Sequence, residues 1–211
     1  MRDTPATLVG SSHTDRAERD RRLMEGVRAG DEAALDALLG VYWSTLVAYG
    51  ARVLGSWDAA EDAAQETFVR VWRRRAEWSN EGSVRALLFR IMRNLALDEK
   101  KRRDRRTAWT LGARHDESRA AAPDELLERS ELEREFDRAV ASLPERRREI
   151  FLHARVNGLS NREIAEVMGI ATQTVANQLS AALAALRVML GPGHRESELP
   201  STASRTHAAR P

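Results

Sequence analysis

Apolar residues recur at three- and four-residue spacing through most of the chain, the period of an amphipathic helix. Leu35, Leu38, Leu39, Tyr42, Leu46 and Tyr49 make one stripe, interrupted by Gly40 and stopping near Gly50 or Gly55. Ala63, Phe68, Val71 and Trp72 make a second, and Leu87, Leu88, Ile91 and Leu95 a third. Val, Ile and Thr never form alternating runs bounded by turn pairs, so strands are not expected. No proline interrupts the chain between Pro5 and Pro123, and Ala, Leu, Arg and Glu, all good helix formers, fill the interval. Asp31 and Asp58 stand where a short acidic side chain can cap a helix start. Gly82–Ser83 marks a further break.

The period fades over residues 107–127 and returns from about Glu128 to Leu190. The pattern therefore predicts an all-α protein of two small helical domains joined by a flexible linker. The expected divisions are a disordered start (1–19), a first domain (20–106), the linker (107–127), a second domain (128–190) and a disordered tail (191–211), whose Gly, Pro, Ser and charged residues offer no core. No run approaches the roughly 18–20 uncharged apolar residues that span a bilayer, and the N-terminus lacks the apolar run of a signal peptide. A cytoplasmic protein without membrane insertion is expected.

The second block carries the most specific local pattern, Leu159-Ser-Asn-Arg-Glu-Ile-Ala-Glu-Val-Met-Gly-Ile-Ala-Thr-Gln-Thr-Val175. Ser160 and Glu163 have the spacing of a capping box. Ile164, Ala165 and Met168 fall on one face, Gly169 can make the turn, and Ile170, Val175 and Leu179 can fill the core between two crossing helices. Thr172 can cap the second of them. This is a helix-turn-helix (winged-helix-like) pattern. In it Thr172, Gln173, Thr174, Asn177 and Gln178 open the helix that would enter a DNA major groove. A purely structural helix corner has the same spacing. Leu159 through Arg187 contains two Arg and two Glu, so phosphate attraction would rest on Arg162, Arg187 and the nearby Arg146–Arg148 and Arg155. Such a module binds weakly alone and needs a second anchor.

Charge changes the picture in the first block. The whole chain has 34 basic and 32 acidic residues, a net charge of +2, yet the two signs are segregated. Asp58 to Trp72 gathers Glu61, Asp62, Gln65 and Glu66 near a helix start. Acids there favour the helix dipole, but Gln65 and Glu66 extend a face suited to a basic protein partner. From Ser83 to Arg106 the balance reverses: Arg85, Arg90, Arg93, Lys100, Lys101, Arg102, Arg103, Arg105 and Arg106 stand against Asp98, Glu99 and Asp104. That excess is either a solvated helix end or the footprint of nucleic-acid binding. Trp78 precedes it in a loop, placed either to stack on an unpaired base or to close the core.

Other chemistries find no support. The chain has no Cys, which removes disulfides, thiolate zinc sites and a thiol nucleophile. Its five His are not spaced to share a helix face as metal ligands, and there is no P-loop or activated Ser or Thr. No catalytic residue, metal, cofactor or small-molecule substrate is expected.

In this order the pieces resemble the bacterial sigma-70 family, specifically its small extracytoplasmic-function (ECF) group. AAEDAAQETFVRVW looks like the family's core-polymerase-binding helix, and ALLFRIMRNLALDEKKRR like the helix that meets the −10 promoter element. LPERRREIFLHARVNGLSNREIAEVMGIATQTVANQLSAALAALR is similar to its −35-binding domain. The resemblance implies polymerase contacts at Asp62, Gln65, Glu66, Phe68 and Trp72, the last two also fitting the core by their spacing. It implies −10 contacts at Trp78, Ser79, Asn80, Arg93, Asn94, Lys100, Lys101 and Arg103. It implies −35 contacts at Arg162, Thr172, Gln173, Thr174, Asn177 and Gln178. A frequent family Trp is Leu87 here, a usual Phe is Val84, and Ala176 and Ala181 stand where the −35 helix often carries Lys or Arg. The implied function is a promoter-specificity factor whose partners are core RNA polymerase, promoter DNA and an anti-sigma factor. The alternative is an autonomous helix-turn-helix regulator that binds duplex DNA without polymerase.

Overall fold

A computed structural model describes residues 7–79, 82–111 and 131–190, and the chain divides into two compact units, 1–121 and 122–211. The first contains α1 (Thr7–Ala29), α2 (Glu32–Leu54), α3 (Trp57–Arg73), a short 3-10 turn (Arg75–Glu77) and α4 (Val84–Leu111). The second contains α5 (Glu131–Ser142), α6 (Glu145–Arg155), α7 (Asn161–Met168) and α8 (Thr172–Leu190). No strand occurs among the described residues.

In the first unit α2 lies between α1, α3 and α4. Its stripe is buried at Leu38, Tyr42, Leu46 and Tyr49, with Val47 added, each large side chain contributing about 1.5–3 kcal/mol by leaving water. Trp43 stacks on Phe68 of α3 at 6.5 Å, and Tyr49 meets Phe89 of α4 edge-on at 5.8 Å. Gly50 is where three helices converge: a Cβ there would lie 2.2 Å from the Met92 methyl and 3.0 Å from Ala60 Cβ. Among the described residues α2 alone is long and apolar enough to cross a membrane, but this apolar face is occupied by the neighbouring helices.

Helix ends follow side-chain chemistry. Asp31 caps α2 by accepting from the Ala33 N–H at 2.9 Å, and Gly55 ends it at φ 65°. Ser56, not Asp58, caps α3 by accepting from Ala59 N–H at 3.4 Å; Asp58 sits in the first turn. The hydroxyl is one residue before the helix, where its oxygen reaches the exposed donors.

Three expectations shift. Residues 7–19, expected to belong to a disordered start, are helical, because α1 is tied to the core through Asp20, Met24 and Val27 and carries Glu18 ion pairs to Arg21 and Arg22. On α4 the buried row is Val84, Leu88, Phe89, Met92 and Ala96, while Leu87, Ile91 and Leu95 are half-buried. This helix is apolar on most sides at its start, so the Leu/Ile row and the Phe/Met row fit the period equally, and packing against α2 and α3 buries the second. Finally, α4 continues to Leu111, into the segment expected to be linker. Residues 112–127 of that linker and the tail 191–211 lie outside the described residues.

The second unit packs α5, α6 and α7 around α8. Ala139, Val140, Leu143, Phe151, Ala182, Leu186 and Leu190 form one cluster of its core, with Phe136 and Leu179 packed against it. Ser160 and Glu163 make the expected capping box: Ser160 Oγ accepts from Glu163 N–H at 3.3 Å, and Ser160 N–H donates to Glu163 Oε2 at 2.8 Å. Gly169 ends α7 at φ 64°, a left-handed conformation that a side chain would strain. Ile164, Ala165 and Val175 are buried as expected, but Val167 takes the inward position expected of Met168. Thr172 is the first residue of α8 rather than its cap.

Candidate protein-docking and nucleic-acid surfaces

On the first unit, α2 and α3 leave a shallow groove of about 380 Å³ between them. Leu35, Leu39 and Trp43 line it from α2, and Phe68, Val69 and Trp72 from α3, with Glu32, Asp36, Gln65 and Arg73 at the edges. Of the residues expected here, Asp62 and Gln65 are exposed and Glu66 is half-buried, its carboxylate 2.8 Å from Arg70 Nε. Phe68 is only 3% exposed and reaches the groove as part of its floor. Trp72 is half-buried, with the Arg75 guanidinium 4.4 Å over its ring and Arg75 Nη1 donating to the Trp72 carbonyl at 2.8 Å. The α2 contribution was missed from sequence, although Leu35 and Leu39 lie in the first stripe. Periodicity alone does not say which edge of a stripe stays open.

The basic residues of α4 divide by position. Lys100, Lys101 and Arg102 are exposed on the helix's second half, and Asn94 is exposed above them. Arg93 and Arg103 are half-buried. Arg103 donates to the Leu54 carbonyl at 3.2 Å, satisfying the C-terminal end of α2, and shares Glu99 with Arg102 at 3.4 and 3.5 Å. Arg85, counted in the basic stretch, is 8% exposed and turned into the unit, so it supplies no surface charge. Trp78 is half-buried directly after the 3-10 turn and Ser79 is exposed. Ser83, at the other side, caps α4 by accepting from Ala86 N–H at 3.2 Å. Asn80 lies outside the described residues.

On the second unit, Thr172, Gln173, Thr174 and Asn177 form an exposed patch over the first turns of α8. Gln173 Nε2 donates to Asn177 Oδ1 at 3.0 Å, so the two amides act as one unit. Gln178 is half-buried and accepts from Arg147 Nε at 3.2 Å, which ties it to α6 and turns it from the patch. Arg162 is exposed but holds Glu166 at 3.3 Å. Ala176 and Ala181 are half-buried, so small side chains at these positions pack at the edge of the core.

Comparison with known proteins gives a consistent result. The family model of sigma-70 region 2 matches residues 40–106, and that of sigma-70 region 4 matches residues 133–186. The chain is 30% identical over 173 residues to the ECF RNA polymerase sigma factor SigL of Mycobacterium tuberculosis, covering 79% of this chain and 94% of that one. It is 28% identical over 189 residues to the RNA polymerase sigma-H factor of Pseudomonas aeruginosa, covering 85% and 98%. Among solved structures, the sigma factor RpoE in complex with the anti-sigma factor NepR from Bartonella quintana has a TM-score of 0.60 at 24% identity, covering 75% of this chain and 98% of that one. CnrH in complex with the cytosolic domain of CnrY has a TM-score of 0.57 at 22% identity, covering 82% and 97%. Both structures share the fold.

Proposed function

The chain belongs to the ECF group of the sigma-70 family and is a promoter-specificity factor, and we propose the following division of labour among its surfaces. The observation that carries it is the presence of matches to region 2 and region 4, in order, on one chain, with an apolar groove and a basic helix on the first unit. An autonomous helix-turn-helix regulator accounts for the second unit alone.

The first domain, 20–106, engages core RNA polymerase through the α2–α3 groove and the acidic-polar edge formed by Asp62, Gln65 and Glu66. Phe68 and Trp72 shape the groove. Trp78 and Ser79, with Asn80 beside them, hold an opened −10 base, while Arg93, Asn94, Lys100, Lys101 and Arg103 handle the adjoining DNA backbone. Opening costs a few kcal/mol of unstacking, offset by stacking and pocket contacts. No covalent chemistry is involved, and the protein acts as a non-enzymatic cytoplasmic subunit.

The second domain, 128–190, binds the −35 duplex with the start of α8. Thr172 and Thr174 approach phosphates, aided by the partial positive charge of the helix start, and Arg162 adds a cation. With Gln173 Nε2 donating to Asn177 Oδ1, Gln173 Oε1 is left as an acceptor and Asn177 Nδ2 as a donor. Adenine presents the complementary donor and acceptor in the major groove, whereas guanine presents two acceptors. Gln178 acts by bracing α8 against Arg147. The neutral −35 surface is sufficient because polymerase presents both domains to one promoter at high effective concentration. An anti-sigma factor, the kind of partner NepR is for RpoE, regulates the chain by covering the polymerase groove.

The test is transcription by purified core polymerase on genomic DNA fragments, with and without this protein. Promoter-specific initiation that depends on the protein is expected. Specific duplex binding without polymerase, with no association to core, would refute the reading.

A further inference from the structure

Asp20 stands on α1, outside both of the surfaces described above, yet only 5% of its side chain is exposed. A buried carboxylate is costly unless its oxygens are paired. Here Oδ1 accepts from Nε and Nη2 of Arg19 at 3.2 and 2.8 Å, and Oδ2 accepts from the Tyr42 hydroxyl of α2. Burial, and then the bond to Asp20, push the Tyr42 phenol above its ordinary range, which keeps it protonated as the donor. Arg85, in the first turn of α4, is buried within electrostatic reach of the same phenol. A bonded polar pair thus joins α1 to α2, with the buried Arg85 of α4 within electrostatic reach of it.

α1 has a second attachment. It packs against the 3-10 turn Arg75–Glu77 as well as against α4. That turn leads directly into Trp78 and Ser79, and α4 starts after Ser83. α1 therefore contacts the elements on both sides of the residues assigned to the −10 base. An apolar residue at position 20 could pack these helices as firmly, but it would not fix their rotation, whereas directional bonds do.

We propose that Asp20 is a positioning residue for −10 recognition: its bond to Tyr42 fixes the rotation of α1, which packs on both α4 and the 3-10 turn, and so sets where Trp78 stands. The proposal rests on the −10 role given to Trp78 and Ser79. None of the residues lining the polymerase groove belongs to this polar centre, so core binding and base capture separate on substitution.

The experiment compares holoenzymes carrying the wild-type chain, Asp20→Asn, Tyr42→Phe and Met24→Ala on a genomic fragment that wild-type holoenzyme uses. Opening is read by permanganate reactivity of unpaired thymines, core affinity by competition, and stability by urea unfolding. Asp20→Asn keeps core affinity within about twofold but slows opening about tenfold, the scale of one charge-assisted hydrogen bond; Tyr42→Phe loses less, in the same direction. In a Trp78→Ala background Asp20→Asn has little further effect, because both act on one step. Met24→Ala empties a site on α1 that is 1% exposed and removes none of the hydrogen bonds of the polar centre; it destabilises the unit at least as much and leaves opening near wild type. Wild-type opening by Asp20→Asn, a parallel loss of core affinity, or an equal opening defect in Met24→Ala overturns the proposal while leaving the promoter reading intact. Failure of the wild-type chain to initiate on any fragment overturns the promoter reading, and this proposal with it.

Discussion

Two glycines of α2 should respond in opposite ways to the same substitution. A methyl group added at Gly40 has nothing within 4 Å, whereas at Gly50 a Cβ would meet Met92 Cε at 2.2 Å, Ala60 Cβ at 3.0 Å and Ala60 Cα at 3.3 Å. Both lie inside a helix, so Ala gains about 0.5–1 kcal/mol of helix preference at either position. At Gly40 that gain stands alone and Gly40→Ala is stabilising. At Gly50 the Met92 methyl can swing aside, but Met92 is fully buried and the Ala60 backbone cannot yield without moving α3. Overpacking of this kind costs about 1–3 kcal/mol. Because the preference term cancels between the variants, they should differ by about 1–3 kcal/mol, with Gly50→Ala net destabilising or neutral. All five Trp residues, 43, 57, 72, 78 and 109, fall in the first unit, so tryptophan fluorescence during urea unfolding of the whole chain reports on that unit alone. Equal shifts of the midpoint in the same direction would refute the convergence of α2, α3 and α4 at Gly50.

Charge reversal of Glu66 to Lys removes its pair with Arg70 and sets two cations together; core-polymerase affinity should fall about tenfold or more, with the unfolding midpoint moving by less than about 1 kcal/mol, as measured by competition binding and urea titration. Replacing Gln173 and Asn177 with Ala should lower promoter use by about 1–3 kcal/mol in promoter-competition assays while core affinity stays constant, and should relax discrimination most at an adenine of the −35 element. Tyr42 has a folded pKa raised above its unfolded value of about 10, by burial first and the Asp20 bond second. Its stabilising contribution is therefore complete below pH 10 and is lost as pH rises beyond it. Urea unfolding from pH 8 to 11 should show a steeper loss for the wild-type chain than for Tyr42→Phe; identical slopes would refute the assignment.

The sequence made the helical class, the capping box and the turn at Gly169 legible because each depends on neighbours within one or two turns. Ser160, Glu163 and Gly169 need no partner beyond α7 itself. What stayed hidden was whatever depends on contacts between helices. The burial of Arg85 is one example, since a cation at the start of a helix has the pattern of a solvated residue and only the packing of α4 within its unit turns it inward. The tethering of Gln178 to Arg147 is another: both residues look like free polar groups until α6 and α8 are brought together. The α2 wall of the docking groove went unseen for a related reason, because Leu35 and Leu39 have the spacing of core residues and lie at the edge where α3 ends its cover. The first half of α1 escaped notice through composition, because residues 7–19 are mostly polar and the anchor at Asp20, Met24 and Val27 lies beyond them.

The continuity of α4 has a metric consequence. From Val84 to Arg106 its axis rises about 33 Å at about 1.5 Å per residue, close to the roughly 34–36 Å of one turn of B-form DNA. A single unbroken helix thus acts as a ruler with the Trp78 side at one end and the last exposed cations at the other. Under the proposed roles, the distance from the Trp78 side to the cations at Lys100 and Lys101 is built into the length of one secondary-structure element, with no hinge between the marks.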